Sequence, residues 1–169
     1  MRGALGLAFL LITIPAQGHD HSRCVVDARD REVCLHNAAR RIATLSPGAT
    51  EVTWAAGAGD QVVAVVSYSD YPPQAQEVAS VGSHTRIDLE ALVGLAPDLV
   101  IGWVTGNPAE QMETLEALGM PVFYIEPRSV EDVAHTIERL ARLAGTEPTG
   151  RQAASEFRDG MAALTARYR

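Results

Sequence analysis

An aromatic loop is the stretch of this 169-residue sequence whose residue types best suit a ligand. Tyr68 and Tyr71 lie three residues apart in the segment 67–76, SYSDYPPQAQ, which follows the apolar run 62–66. Each tyrosine offers a large apolar face and a hydroxyl that needs a partner, and the two prolines stiffen the loop. Because open α/β sheets bind ligands beyond the carboxyl ends of their strands, we expect a binding loop here. The alternative is a rigid surface turn whose tyrosines cover the core.

Catalytic residue types are present but scattered. Ser46, Asp70 and His84 are the types that an acyl-transfer triad requires. No Gly-x-Ser-x-Gly turn, which would hold such a serine at the end of a strand, accompanies them. The sequence therefore favours a binding protein over an enzyme, with no catalytic residue, no resident cofactor and no metal site.

The N-terminus has the pattern of a secretory signal peptide in residues 1–18. Arg2 supplies the positive start, residues 4–15 form an apolar run, and small residues precede a cleavage point after Gly18. An uncleaved membrane anchor is the alternative. Cleavage would leave 19–21, His-Asp-His, at the new terminus, where the amine, amides and imidazole can bind Cu(II) or Ni(II). A disordered polar tail is the interpretation we prefer for this tripeptide.

The two cysteines, Cys24 and Cys34, lie in a hairpin pattern of two β-rich runs. If the turn centres on Arg29, Val25 faces Val33 and the cysteines become cross-strand partners. An even cysteine count in a secreted protein favours a disulfide. A two-cysteine zinc site is the weaker alternative, because no histidine lies at ligand spacing from both.

Strands and helices alternate after the hairpin, which indicates an α/β fold. The apolar patterns predict helix caps at Ser46, Asp88, Asn107 and Ser129. The turn at Ser46 also puts free backbone amides near a strand end, where they can meet a polar ligand group; a plain helix cap is the alternative. Predicted strands span 42–45, 62–66, 98–102 and 120–125, and predicted helices span 47–56, 88–93, 108–118, 130–144 and 152–168.

The composition is that of a globular protein, with 47% apolar and 21% charged residues. The formal net charge is −7, and all 14 basic residues are Arg. No basic patch stands out, so nucleic acid is not an expected partner, and the acidic balance also argues against anionic membranes.

The segment 67–76 and the motifs around it resemble the periplasmic cobalamin-binding proteins of ABC-type vitamin uptake. The resemblance runs from about residue 41 to residue 169 in consistent order. The segments from 45 and from 97 also resemble the wider iron, haem and cobalamin binding-protein superfamily, whereas the 67–76 loop is more specific to the cobalamin branch. The framing motifs are LSPGATE at 45–51, Val-Gly at 81–82, Asp-Leu-Glu at 88–90, PDLVI at 97–101 and Gly-Asn at 106–107.

The resemblance implies one lobe of a two-lobed protein. It predicts a tail and hairpin in 19–40, a parallel-sheet α/β lobe in 41–128 and a helical segment in 129–169 that ends in the spine helix between lobes. The second lobe of the relatives is absent, so the last helix can lack part of its cover and we expect self-association.

The implied function is capture of cobalamin or a related corrinoid in the periplasm and delivery to an ABC permease of the inner membrane. The resemblance places Ser46, Tyr68, His84 and Trp103 on the ligand face, although relatives often carry an aromatic where His84 stands. It also implies that Glu90, on a short helix, docks onto arginines of the permease.

Two alternatives use the same scaffold. Haem would be ligated by His84 or Tyr68, whereas an iron-siderophore would want clustered arginines, of which only Arg86 is close. The third possibility is a non-binding remnant or an interaction module.

Overall fold

The computed structural model describes residues 22–168, so the expected signal peptide and the 19–21 tripeptide lie outside the described residues. No helix within that range is both long and apolar enough to cross a membrane. The strands are β1 Arg23–Val26, β2 Glu32–Leu35, β3 Ile42–Thr44, β4 Val62–Ala64, β5 Gly82–Ser83, β6 Arg86–Ile87, β7 Leu99–Trp103 and β8 Val122–Ile125. The helices are α1 Pro47–Ala55, α2 Leu89–Gly94, α3 Ala109–Ala117, α4 Val130–Ala144 and α5 Glu147–Tyr168.

The predicted α/β fold with a parallel sheet is confirmed. Four parallel strands lie in the order β4-β3-β7-β8. Successive residues of a strand point to opposite faces, and both faces of this sheet are buried. One face packs on α1, α4 and α5 through Ile42, Leu99, Ile101, Phe123 and Ile125, and the other packs on α2 and α3 through Ala43, Val100, Val122 and Tyr124.

The strand order creates a crevice between β3 and β7. The chain leaves β3 for α1 on one face of the sheet and leaves β7 for α3 on the opposite face. Connections that diverge in this way open a gap beyond the carboxyl ends of the two strands, which is where ligands bind in open α/β sheets.

The N-terminal hairpin has the predicted register. Cys24 pairs with Cys34 and Val25 pairs with Val33, and the two cysteines form a disulfide. The alternative of a zinc site is therefore wrong, because neither sulfur is free to bind a metal. The backbone amide of Ala28 donates to the carbonyl of Tyr124 at 2.9 Å, which fixes the hairpin to β8.

Several boundaries differ from the sequence prediction. Helix α5 begins at Glu147, five residues before the predicted start, because Pro148 lies in its first turn, where a proline needs no hydrogen-bond donor. Gly145, with φ 77°, ends α4 at the predicted position. Strand β4 stops at Ala64, after which Val65 makes only an isolated bridge to Ser80.

Candidate ligand-binding cleft

A cleft of about 720 Å³ lies at the carboxyl end of the sheet. All four residues predicted for the ligand face line it. Ser46 follows β3, Tyr68 lies beyond β4, His84 is in the β5–β6 turn, and Trp103 ends β7. Residues separated by up to 57 positions therefore meet at one opening, because parallel strands end on the same edge of the sheet.

Ser46 is buried and begins α1. Its hydroxyl accepts a hydrogen bond from the Ala49 amide at 3.1 Å, which confirms the predicted cap. This bond uses the hydroxyl as an acceptor, so its own hydrogen can still be donated. Ser46 and Gly48 both line the cleft at the start of α1.

The loop that carries Tyr68 is anchored on both sides of that residue. Tyr68 has φ 68° and is 79% exposed, a left-handed conformation that costs a non-glycine residue about 1–2 kcal/mol. The Ser67 amide donates to the Gly82 carbonyl at 2.8 Å. On the other side, the buried Ser69 hydroxyl accepts from the Thr50 hydroxyl at 3.0 Å. These bonds hold the aromatic ring at the cleft without a ligand.

The two tyrosines of this loop have different surroundings. Tyr68 lines the cleft, whereas Tyr71 is 67% exposed and lies outside it. The alternative that both tyrosines cover the core is wrong, because both rings are largely in solvent.

His84 and Trp103 lie on the same side of the cleft. Their ring centroids are 6.0 Å apart and the ring planes are tilted by 44°. The indole of Trp103 also rests directly on Gly106, where a Cβ would overlap its six-membered ring. Gly106 is therefore required for close packing of the chain against this side chain.

Asn107 does not cap α3, contrary to the sequence prediction. The helix begins after Pro108 without a side-chain cap. The Asn107 amide instead bonds to Leu45, His84 and the Trp103 backbone. Long-range partners therefore outcompete the local capping bond for this side chain.

The walls of the cleft are mostly apolar and carry few charges. Among the lining residues, Glu51 is the acidic one, His84 is the one imidazole, and none is Arg or Lys. Arg86 is exposed and lies outside the lining. The arrangement suits a large ligand with apolar surfaces and neutral polar groups, and it offers no clustered arginines to an anionic siderophore.

The sequence did not identify Phe157 and Val133 as part of this site. Both lie on amphipathic helices, where their spacing is typical of ordinary core positions, yet they form one wall of the cleft.

Arg158 connects the two helices of this wall, since its guanidinium donates to Glu131 at 2.9 Å and to Glu138 at 2.8 Å. The hydrogen bonds from Arg158 lower the pKa of Glu131 below its ordinary value.

Glu90 is exposed in the first turn of α2, away from the cleft lining. The helix is capped by Asp88, as predicted, and packs through the fully buried Leu92. Val93 on the same helix is 40% exposed, because the short helix buries only a narrow stripe. The role of Glu90 in docking stays a prediction.

The scattered catalytic residue types do not assemble. Ser46 and His84 both line the cleft, but Asp70 does not. Within residues 22–168 no hydrogen bond joins Ser46 to His84 or His84 to Asp70. The arrangement can therefore hold a molecule, but it lacks the hydrogen-bonded chain that activates a serine nucleophile.

Comparison with known sequences places these features in a family. A sequence model described as periplasmic binding protein matches residues 42–169. The vitamin B12-binding protein of Vibrio parahaemolyticus is 42% identical over 128 residues, which are 76% of this chain and 46% of that protein. The vitamin B12-binding protein of Yersinia pseudotuberculosis is 36% identical over 167 residues, which are 99% of this chain and 52% of that protein. The chain thus spans about half the length of the curated relatives it matches.

Solved structures agree with this comparison. The periplasmic vitamin B12 binding protein BtuF of Vibrio cholerae superposes with a TM-score of 0.73 at 40% identity, covering 77% of this chain and 51% of BtuF. The periplasmic heme binding protein HutB of Vibrio cholerae superposes with a TM-score of 0.66 at 28% identity, covering 75% of this chain and 49% of HutB.

Proposed function

This chain belongs to the periplasmic binding protein family, and from that premise we propose that it binds cobalamin or a related corrinoid for an ABC transporter. The ligand would lie in the cleft and pass to a permease of the inner membrane. No bond of the ligand would be made or broken, so the role is transport and not catalysis.

The observation that carries this proposal is the convergence of Tyr68, His84 and Trp103 on one largely apolar cleft whose lining includes no Arg or Lys. A corrin presents broad apolar faces edged by neutral amides. Aromatic rings pack on such faces, and neutral amides need hydrogen bonds but no counter-charge. The identity of 40% to BtuF supports the same ligand class.

One lobe covers only part of such a ligand. Tight small-molecule sites bury most of the ligand surface, whereas this cleft is partly open to solvent. We therefore expect this chain by itself to bind a corrinoid more weakly than a two-lobed relative.

Delivery would use Glu90. Its carboxylate is exposed, and an exposed charge mainly sets the orientation and the rate of docking.

Cleavage after Gly18 and release into the periplasm belong to the same proposal. Mass spectrometry of protein recovered from the periplasm of an expression host would test both the cleavage site and the location.

Haem is the second candidate ligand. His84 lines the cleft and an imidazole can bind haem iron, and HutB is 28% identical. The charge of the cleft disfavours it, because haem carries two propionates that would lie in a site with Glu51 and without Arg or Lys. A remnant or interaction module, which binds neither ligand, is the remaining alternative.

The deciding experiment compares the two exposed tyrosines. We would titrate the purified chain with cyanocobalamin, and with haem in parallel, and follow Trp103 fluorescence after correction for ligand absorbance. Trp54 is the other of the two tryptophans, so a Trp54→Phe background isolates the emission of Trp103. Tyr68→Ala should weaken cobalamin binding by about 2- to 10-fold, the worth of one aromatic contact. Tyr71→Ala, in the same loop but outside the cleft, should leave it unchanged.

Each other outcome contradicts the proposal in its own way. Equal effects of Tyr68→Ala and Tyr71→Ala would place the ligand elsewhere. Haem binding that is lost in His84→Ala, with no cobalamin binding, would establish the second candidate. If a folded chain binds neither ligand, the interpretation as a non-binding remnant or an interaction module would be supported.

A further inference from the structure

We infer that Asn107 is the positioning residue of the cleft, and that it holds three of the loops that carry the ligand face in one arrangement. The inference rests on the proposed function, because it assigns a role within that same site. Asn107 itself is 8% exposed and is not among the residues that line the cleft.

The Asn107 amide makes one bond to each of three separate segments. Its Oδ1 accepts from the Trp103 amide at 2.7 Å. Its Nδ2 donates to the Leu45 carbonyl at 2.8 Å and to the His84 carbonyl at 3.0 Å. Leu45 directly precedes Ser46, so the three bonds reach the loops of three predicted ligand residues.

Only an asparagine can make this set of bonds. The site needs one acceptor and two donors, and the carboxamide supplies both. Aspartate would keep the acceptor but direct a second oxygen at two carbonyl oxygens, and serine has a single donor. Glutamine would place the same group one methylene too far out.

The bond from Asn107 to the His84 carbonyl contacts a turn that is not part of the four-stranded sheet. Ser46 lies just beyond β3 and Trp103 ends β7, and the pairing of these two strands already sets the separation of the two residues. His84, in contrast, lies in the turn of the β5–β6 hairpin, which forms a two-stranded sheet of its own. Backbone bonds join the base of this hairpin to the chain after β4, as from the Ser67 amide to the Gly82 carbonyl. Among the hydrogen bonds of residues 22–168, those of Asn107 join the turn at His84 to the segment of Trp103.

Gln111 provides a matched control one helical turn later. Its amide also bridges backbone groups of the hairpin, accepting from the Ile87 amide at 3.0 Å and donating to the Ile87 carbonyl at 2.8 Å. Gln111 thus anchors the base of the hairpin with the same chemistry, but it bonds to none of the loops of the predicted ligand residues.

The test compares Asn107→Leu with Gln111→Met, which both remove a bridging amide and keep much of its volume. We expect urea unfolding to show that both variants lose stability. Cobalamin affinity should fall at least about tenfold further in Asn107→Leu than in Gln111→Met. Trp103 emission and its quenching by acrylamide, read in a Trp54→Phe background, should change in Asn107→Leu alone.

Asn107→Asp separates the two kinds of bond. It keeps an acceptor for the Trp103 amide but loses both donors, so at neutral pH we expect weakened cobalamin binding with little change in Trp103 emission. Protonation of the introduced carboxylate restores one donor, so binding should improve as the pH is lowered, unlike in the parent. If Asn107→Leu does not fold, this pH profile carries the test.

Equal losses of affinity in the Asn107 and Gln111 variants, or unchanged affinity in both Asn107 variants, would overturn the inference. Failure of the proposed function is a different result, namely no cobalamin binding by the parent chain. In that case the ligand-free readout still decides, because unchanged Trp103 emission and quenching in Asn107→Leu would by itself refute the positioning role.

Discussion

Replacing Gly106 with alanine should displace the Trp103 indole from the cleft. A Cβ at Gly106 would overlap the six-membered ring of Trp103, and Gly106 is not in the left-handed region, so steric overlap is the whole effect. Forcing a methyl group into a packed site costs about 1–3 kcal/mol. Trp103 is only half-buried and can turn outward. We therefore expect the free energy of unfolding to fall by about 1 kcal/mol, at the low end of that range.

Ligand binding should reveal the displacement more clearly than stability does. Loss of one aromatic contact is worth about 0.5–1.5 kcal/mol, which corresponds to about 2- to 10-fold weaker cobalamin binding. Urea unfolding, ligand titration and Trp103 emission in a Trp54→Phe background measure the three effects. Gly160→Ala is the control, because a Cβ at this position inside α5 would meet open space. Alanine should raise the free energy of unfolding there by about 1 kcal/mol, since it favours the helix more than glycine does. Parental emission and affinity in Gly106→Ala would refute the reasoning.

Three further predictions concern the frame of the molecule. Arg158 lowers the pKa of Glu131 below 4.5, so this ion pair contributes stability that is fully present above that unfolded-state value and is lost as the pH falls through the lower folded-state pKa. Arg158→Met should therefore destabilise the protein more at neutral pH than in strong acid, and an equal urea midpoint shift at both would contradict this. Replacing Cys24 and Cys34 by serine should lower the free energy of unfolding by roughly 2–3 kcal/mol and abolish any effect of reductant on unfolding. The exposed apolar face of α5, where Leu164 is 50% exposed, should drive self-association, which Leu164→Glu should weaken by at least about tenfold in sedimentation equilibrium; an equal monomer fraction in both proteins would exclude this face.

Features that depend on neighbours in sequence were predictable. The Ser46 cap bonds to a residue three positions away, and the same spacing holds for Asp88 and Ser129. The Cys24–Cys34 register followed from the centre of a short turn. In each case the chain between the partners is too short to allow many other arrangements, so residue type and spacing leave little freedom.

The four residues predicted for the ligand face line one cleft for a different reason, and their contact with a ligand stays a prediction. Each of Ser46, Tyr68, His84 and Trp103 lies at or beyond the end of a strand or in a hairpin turn, and the resemblance to a known family assigned them to one surface. Pattern alone did not distinguish Tyr68 from Tyr71, since only the anchored, left-handed backbone at Tyr68 turns its ring to the cleft.

By itself, then, the sequence determined the α/β class, the caps at Ser46, Asp88 and Ser129, the hairpin with its disulfide and the family. Only the tertiary structure decided that Asn107 bridges Leu45 and His84, which lie 62 and 23 residues away, and that Phe157 forms a wall of the cleft. An asparagine before a proline has the local signature of a helix cap, and a phenylalanine on an amphipathic stripe has that of a core residue. Which partner such a side chain finds depends on the distances that folding creates between remote segments, and residue spacing along the chain carries no record of those distances.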